Sequence, residues 1–354
     1  MILPALEIVA YNGPRTTGTA IPPQPVVLPC RCMARREAER GTMRSGNVCP
    51  SHIAHTYSIV ARDVQTGQLG VAVQSHWFSV GSLVCWGEAG VGVVATQSVV
   101  KVDYGPLGLE RLRAGLSAPQ ALAELIAEDE GRDLRQVAMV DAQGRVAAHT
   151  GERCVAEAGH ELGDAFSVQA NMMASPNVWP AMATAYRQAE GELAGRLLTA
   201  LDAAQAAGGD VRGKQSAAML VVNGERQSQP WKGIVLELRV EDHPEPLTEL
   251  RRLLHLHRAY DHMNRGDELL GEDRVEAALK EYRTAAQIAP QIPELPFWHA
   301  VTLADLGRLD EALPLFRDVF AAEPGLTILI QRLPASGLLR DDPQMMAHIL
   351  AMAP

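Results

Sequence analysis

The stretch "SHIAHTYSIVARDVQTGQLGVAVQSH" at residues 51–76 decides the fold. From Thr56 onward "TYSIVARD" alternates, "VQTG" turns, and "LGVAVQSH" alternates back, which is the pattern of a β-hairpin. The same stretch poses the chemical question. Thr56 is either a β-branched residue opening a strand or a nucleophile that becomes active when the residues before it are removed.

Downstream, "GVGVVATQSVV" (90–100) reads as a buried strand, and "GPLGLERLRAGLSAPQALAELIAEDE" switches to helical spacing with Ser117 as an N-cap. "RQVAMVDAQGRVAAHTG" (135–151) reads as strand, turn at Gly144, and strand, with His149 at the strand end. His160 falls in a loop, and "AFSVQANMM" continues the strands. Helices are expected near 176–189, with Pro176 in the first turn, and near 192–207, ending at Gly208–Gly209. "QSAAMLVV" and "GIVLELRV", on either side of Asn223–Gly224, supply a last antiparallel pair. Strands and helices are segregated rather than alternating, so the spacing predicts an α+β domain with antiparallel sheets and helices packed outside, over 55–240. It excludes a doubly wound dinucleotide fold.

Residues 1–54 carry scattered prolines and no usable periodicity, and read as a flexible leader or an over-long gene start, Met43 being an internal start candidate. Cys30, Cys32, Cys49, His52 and His55 fall there, but their spacing matches no paired C-x2-C pattern, and no metal is expected. Beyond the linker "EDHPEPL", residues 241–354 read as all-helical. Ala278, Tyr282 and Pro290 recur as Ala312, Phe316 and Pro324, each 34 residues later. That period, with small, aromatic and proline residues in this order, is the signature of tetratricopeptide-type helix pairs. Two repeats are few, so the tail is expected to lean on the first domain.

Composition narrows the function. Among 354 residues, 32 basic side chains face 42 acidic ones, for a net charge of −10. No basic face suited to nucleic acid or an anionic membrane is present, and no apolar run reaches the ~18 residues of a membrane span. Five cysteines and no signal-like start point to a reducing compartment, with the cytoplasm as the default.

Thr56 stands where a terminal hydroxyl nucleophile would stand, at the head of the first well-formed strand. Ser58, two residues on, shares its face. Asn171, in "VQANMM", offers a side-chain amide to a developing oxyanion. Gln97, with Thr96 and Ser98 in "ATQS", ends an apolar strand where a pocket could open, or satisfies backbone groups. In "GGDVRGKQS", Asp210, Arg212 and Gln215 are candidates for binding a polar substrate end, although Asp210 and Arg212 could equally pair with each other. No G-x-S-x-G elbow supports a His–Ser–Asp triad. Cys85 and Cys154 read as buried small residues rather than nucleophiles.

Residues 56–240 closely resemble the N-terminal-nucleophile-hydrolase-like family called domain of unknown function 1028. The matching stretches are "TYSIVARDVQTGQLGVAVQSHWFSVG", "VVATQSVVKVDYGPLGLERLRAGLSA", "RQVAMVDAQGRVAAHTG", "FSVQANMMA" and "GGDVRGKQSAAMLVV". The resemblance implies a four-layer α-β-β-α sandwich related to amidohydrolases and the proteasome, without naming a substrate. The tail, ending in "LPASGLLRDDP", resembles a helical segment often joined to this family, for which peptidoglycan binding has been suggested. Family members begin near a Met followed by Thr, whereas here His55 and 54 further residues precede Thr56.

Two readings stay open. The first is an amide hydrolase in which Thr56 attacks a small or peptide-like amide, its own α-amine acting as base and Asn171 holding the oxyanion. The second is a catalytically silent binding or scaffold protein whose tail takes a peptide, a protein or a cell-wall fragment. Neither requires a metal or an organic cofactor. The sequence is compatible with a homo-oligomer and fixes no state.

Overall fold

The structure is a computed structural model and describes residues 53–54 and 56–354. Apart from Ile53 and Ala54, the leader and its candidate zinc ligands lie outside the described residues. The hairpin forms as expected. Strand β2 follows the two-residue strand β1 (Ile53–Ala54) and spans Thr56–Arg62; it pairs antiparallel with β3 (Leu69–Ser75), in register from Thr56↔Ser75 to Arg62↔Leu69. Asp63 holds the turn, accepting on Oδ1 from the backbone N–H groups of Gln65 (2.7 Å) and Thr66 (3.1 Å). A half-solvated alternating strand would expose one face, but β2 is buried on both. Tyr57, Ile59 and Ala61 face helices, while Val60 faces a second sheet.

A short helix α1 (Gly81–Val84) and strand β4 (Cys85–Glu88), neither expected from periodicity, lead into β5 (Gly92–Val99). Helices α2 (Tyr104–Arg113) and α3 (Ala118–Ala127) follow, and Ser117 caps α3 in a reciprocal capping box with Gln120. Next come β6 (Arg135–Asp141), β7 (Val146–Thr150), β8 (Gly159–Gly163) and β9 (Phe166–Ala170). His160 therefore sits in a strand and not in a loop; the half-exposed GHELG segment lacks the apolar content that would mark it as one. Helix α4 (Val178–Gln188) starts two residues beyond Pro176, so it is Pro180 that occupies the first turn. Helix α5 (Leu193–Ala206) ends at Gly208 and Gly209, both at positive φ (121° and 61°). Strands β10 (Ser216–Val222) and β11 (Ile234–Val240) close the domain.

Two antiparallel sheets result. One runs β11-β10-β3-β2-β9-β8. In the other, β5 has β6 and then β7 on one side, and β4 and β1 pair with its opposite edge at different ends. Between the sheets, Val60, Leu69, Val71 and Val73 meet Val93, Ala95, Ala138 and Val140. Leu197, Leu201 and Met182 of α4 and α5 cover the outer face of the six-stranded sheet, and Leu109, Leu112, Leu122 and Leu125 of α2 and α3 cover the other. The antiparallel α+β arrangement follows from these apolar phases: β2, β3, β5, β6, β9 and β10 are buried on both sides because each has a neighbouring layer on both sides, whereas β4, β7, β8 and β11 stay half-exposed.

The helical region begins inside the expected linker, at Pro246. Helix α6 (Pro246–Gly271) is followed by α7 (Val275–Ile288), α8 (Glu294–Asp305), α9 (Leu309–Ala322), α10 (Leu326–Arg332) and α11 (Pro343–Leu350). Leu247, Leu250 and Leu254 of α6 bury themselves in the sandwich core, while Leu269 near its other end joins the helical core. One continuous helix thus belongs to both cores. Ala278 and Ala312, and Tyr282 and Phe316, occupy matching buried positions on α7 and α9. Among the described residues no helix is long and apolar enough to cross a membrane.

Gly266 packs on the Tyr282 ring: a Cβ there would lie 2.5–3.0 Å from three ring atoms. Helix propensity favours a non-glycine residue by about 0.5–1 kcal/mol. The ring, however, is pinned by its hydroxyl donating to Asp267 Oδ1 at 2.6 Å, so overpacking wins. Gly266→Val is expected to destabilise the helical region by about 1–3 kcal/mol, read as a lowered thermal midpoint.

Candidate functional site

The space between the sheets changes character along its length. At the Arg62 end it is lined by valine, leucine and alanine; at the Thr56 end amide and hydroxyl side chains take over, with the half-buried His160 in line with Ser58 and Gln169 at the rim. Thr56, Ser75 and Ser216 stand directly opposite one another on β2, β3 and β10, and all three are fully buried. Ser58, Gln169 and Asn171 lie beside them, and Gln97 and Gln136 come from the facing sheet, all five also fully buried. Alternation explains the set: each occupies the inward phase of a strand whose other phase feeds the helix-covered core, except Asn171, which follows the end of β9 directly.

Hydrogen bonds join these side chains into one network. Gln169 Nε2 donates to Ser58 Oγ at 2.6 Å, and Ser58 Oγ donates to Gln97 Oε1 at 2.6 Å. Gln97 Nε2 in turn donates to Gln136 Oε1 at 2.6 Å. Asn171 Nδ2 donates to the same Gln136 oxygen at 2.9 Å. Gln136 Nε2 donates to the Ala170 carbonyl and to Thr150 Oγ1, both at 2.9 Å. Thr150 Oγ1 lies 2.8 Å from His160 Nδ1 at the rim. Burial and the nearby His149 lower the His160 pKa, so its imidazole is neutral at pH 7.

The network converges on the backbone of Thr56. Its carbonyl accepts from Asn171 N–H (3.1 Å), Gln97 Nε2 (3.3 Å) and Asn171 Nδ2 (3.4 Å). Just before it, β1 pairs with the end of β5, Ala54 opposite Ser98, so the chain crosses from one sheet to the other at this point. Two non-glycine residues with positive φ flank the cluster: Ser98 (74°), next to Gln97, and Met172 (59°), next to Asn171. Backbone held in that region costs of order 1–3 kcal/mol each and gathers at functional sites.

Of the residues singled out from sequence, Thr56, Ser58, Gln97 and Asn171 meet here. Asp210, Arg212 and Gln215 do not. Arg212 turns its guanidinium onto Asp210, with Nε to Oδ1 at 3.0 Å and Nη2 to Oδ2 at 2.7 Å. Met173 bridges to Asp210 and Val211 N–H donates to the Met172 carbonyl at 3.2 Å, so this loop braces the turn that carries Asn171. Gln215 Nε2 donates to Asp242 Oδ1 at 3.1 Å. Sequence reasoning missed Gln136, Gln169, Ser75, Ser216 and Thr150. The available signal was a buried amide at the inward phase of a mostly apolar strand, as Gln136 in "RQVAMVD" and Gln169, beside Ser167, in "FSVQA". Cys85 and Cys154 take no part; burial raises both thiols, Cys85 to about 12. Among the described residues no three His, Cys, Asp or Glu side chains gather as a metal site.

None of the cluster residues from Thr56 to Ser216 carries an ionisable side chain. Among the described residues the cluster can polarise and position a carbonyl, and the imidazole nearest to it is that of His160, reached through Thr150 at the rim.

Residues 56–250, more than half of the chain, match the family described as "Family of unknown function (DUF1028)". The chain belongs to this family. It is also similar to a crystal structure of a Silicibacter pomeroyi protein of the DUF1028 family, at 32% identity and a TM-score of 0.51, over 56% of this chain and 88% of that one. No curated protein matches the chain. The DUF1028 region includes the first turn of α6, whose Leu247 and Leu250 are core residues of the sandwich.

Proposed function

We propose that this DUF1028 chain is an amide-bond hydrolase of the N-terminal nucleophile type, built on a four-layer α-β-β-α sandwich. One observation carries the reading: Thr56 heads the central β2 strand inside a buried cluster of amides and hydroxyls that converges on its backbone. Amide hydrolysis there needs a base, and the α-amine of a terminal Thr56 would supply it on the same residue as the nucleophile. While a peptide bond precedes Thr56 its nitrogen is an amide and accepts no proton, so the intact chain is the inactive form. After release, the Thr56 hydroxyl attacks the substrate carbonyl and its amine takes the proton, which passes to the leaving amine as the C–N bond breaks; water, activated by the same amine, then cleaves the Thr56 ester and frees the acid. Asn171 Nδ2 exchanges its long contact to the Thr56 carbonyl for the developing oxyanion. Gln97 and Gln136 position it. The substrate is a small or peptide-like amide.

The test is covalent. An electrophilic amide probe is expected to label the mature chain at Thr56 and to label Thr56→Ala not at all; equal labelling of the variant would overturn the assignment.

A second reading, a binding role for the tail, is favoured by a groove of about 490 Å³ between α7, α8 and α9, where Pro290, Pro296, Leu303 and Leu315 meet Arg283 and Gln287. Removing residues 272–354 leaves α6 covering the sandwich. It is expected to abolish capture of a peptide or cell-wall fragment while sparing probe labelling.

A further inference from the structure

A cleft of about 980 Å³ opens between the β2–β3 turn, the α4–α5 loop and α6. It lies at the Arg62 end of β2, six residues and therefore about 20 Å from Thr56, so it is distinct from the amide and hydroxyl cluster. Its volume falls in the range of ligand sites, about 300–1,000 Å³.

The charged groups around it are unevenly satisfied. Asp63 is occupied by its turn and by Arg196 at 3.5 Å. Arg62, beside it, has no ion-pair partner among the described residues, and its Nε is buried without an acceptor. Arg196 Nε is likewise buried without one, while the guanidinium lies 4.5 Å over the Tyr186 ring. Buried guanidinium donors left unmade are costly, and the fork they present matches a planar carboxylate.

The loop and helix side of the cleft has the opposite demand. Glu190 has no basic partner among the described residues, and Asp261 shares only His257, at 3.1 Å. Burial raises the Asp261 carboxyl above its ordinary range, with Glu192 adding to the effect and His257 opposing it. An ammonium placed there relieves both neighbours.

We propose that this cleft binds a short peptide or amino acid through its two free termini, the carboxylate on Arg62 and Arg196 and the ammonium on Glu190 and Asp261. Because Leu254, His257 and Asp261 come from α6, such a ligand ties the helical region to the sandwich.

The experiment is calorimetric titration of the full chain with alanylalanine, its N-acetyl form and its C-terminal amide. Repeating it in Thr56→Ala separates this site from catalysis, and binding there is expected to be unchanged. The free dipeptide is expected to bind at least tenfold more tightly than either blocked form. Arg62→Met should bring it to the level of the amide, and Glu190→Gln, an exposed change that leaves folding intact, toward the level of the N-acetyl form. No binding of the free dipeptide at millimolar concentration, equal binding of all three compounds, or undiminished binding in Glu190→Gln would overturn the proposal.

Discussion

Thr56→Ala in the mature protein is expected to lower amide hydrolysis at least about a thousandfold, because it removes the attacking atom and leaves the amine with nothing to activate. Thr56→Ser keeps a hydroxyl on the same backbone and should retain measurable turnover. That contrast separates loss of a nucleophile from loss of a strand residue, since alanine and serine both remove the β-branch that favours a strand and only serine keeps the hydroxyl. A panel of aminoacyl p-nitroanilides gives the readout. The pH profile adds a sign. A free α-amine titrates near ~7.7–8.0 and acts as a base only when unprotonated, so the rate should rise through that range and fall as pH drops below it.

The second large effect is on stability. Gln136 accepts from Gln97 and Asn171 and donates to Thr150 and to the Ala170 and Gly159 carbonyls, all within 3.1 Å and all inside the sandwich. Leucine is close in volume, so Gln136→Leu leaves little cavity; its cost comes from stranded partners. At about 1–3 kcal/mol for each buried polar group that loses its partner, the Gln97 and Asn171 amides put the loss at roughly 2–6 kcal/mol, toward the lower end because both keep a long contact to the Thr56 carbonyl. Urea denaturation should show the midpoint falling with little change in slope. A loss under about 0.5 kcal/mol, the size of a surface substitution, would mean that the network does not hold the two sheets together.

Much of the fold was legible because its signals are local. The β2–β3 hairpin, the Ser117 cap, the Gly208–Gly209 helix stop and the 34-residue recurrence of Ala278 and Tyr282 all lie within a few turns or strands of sequence. Strands β4 and β8 were not legible. Each is short and only half-buried, and β8 opens and closes on glycine, so tertiary pairing rather than propensity makes them strands. The site was half legible for a related reason. Thr56 heads its strand, Ser58 shares its face, and Gln97 and Asn171 stand in the short polar runs "TQS" and "QAN" that draw notice. Gln136 and Gln169 are single amides in apolar runs, and their meaning rests on contacts such as Ser58 with Gln169, 111 residues apart. Only the stacking of two sheets brings those phases together. The pair Asp210 and Arg212 shows the reverse: the sequence offers an arginine fork for a substrate, and folding closes that fork on its neighbour.

All of the proposed chemistry requires that Thr56 carry a free amine. Intact-mass measurement of the chain isolated from its own host tests this most directly. The expected result is a mature species beginning at Thr56. A native chain that still carries His55 in peptide linkage to Thr56 would contradict it.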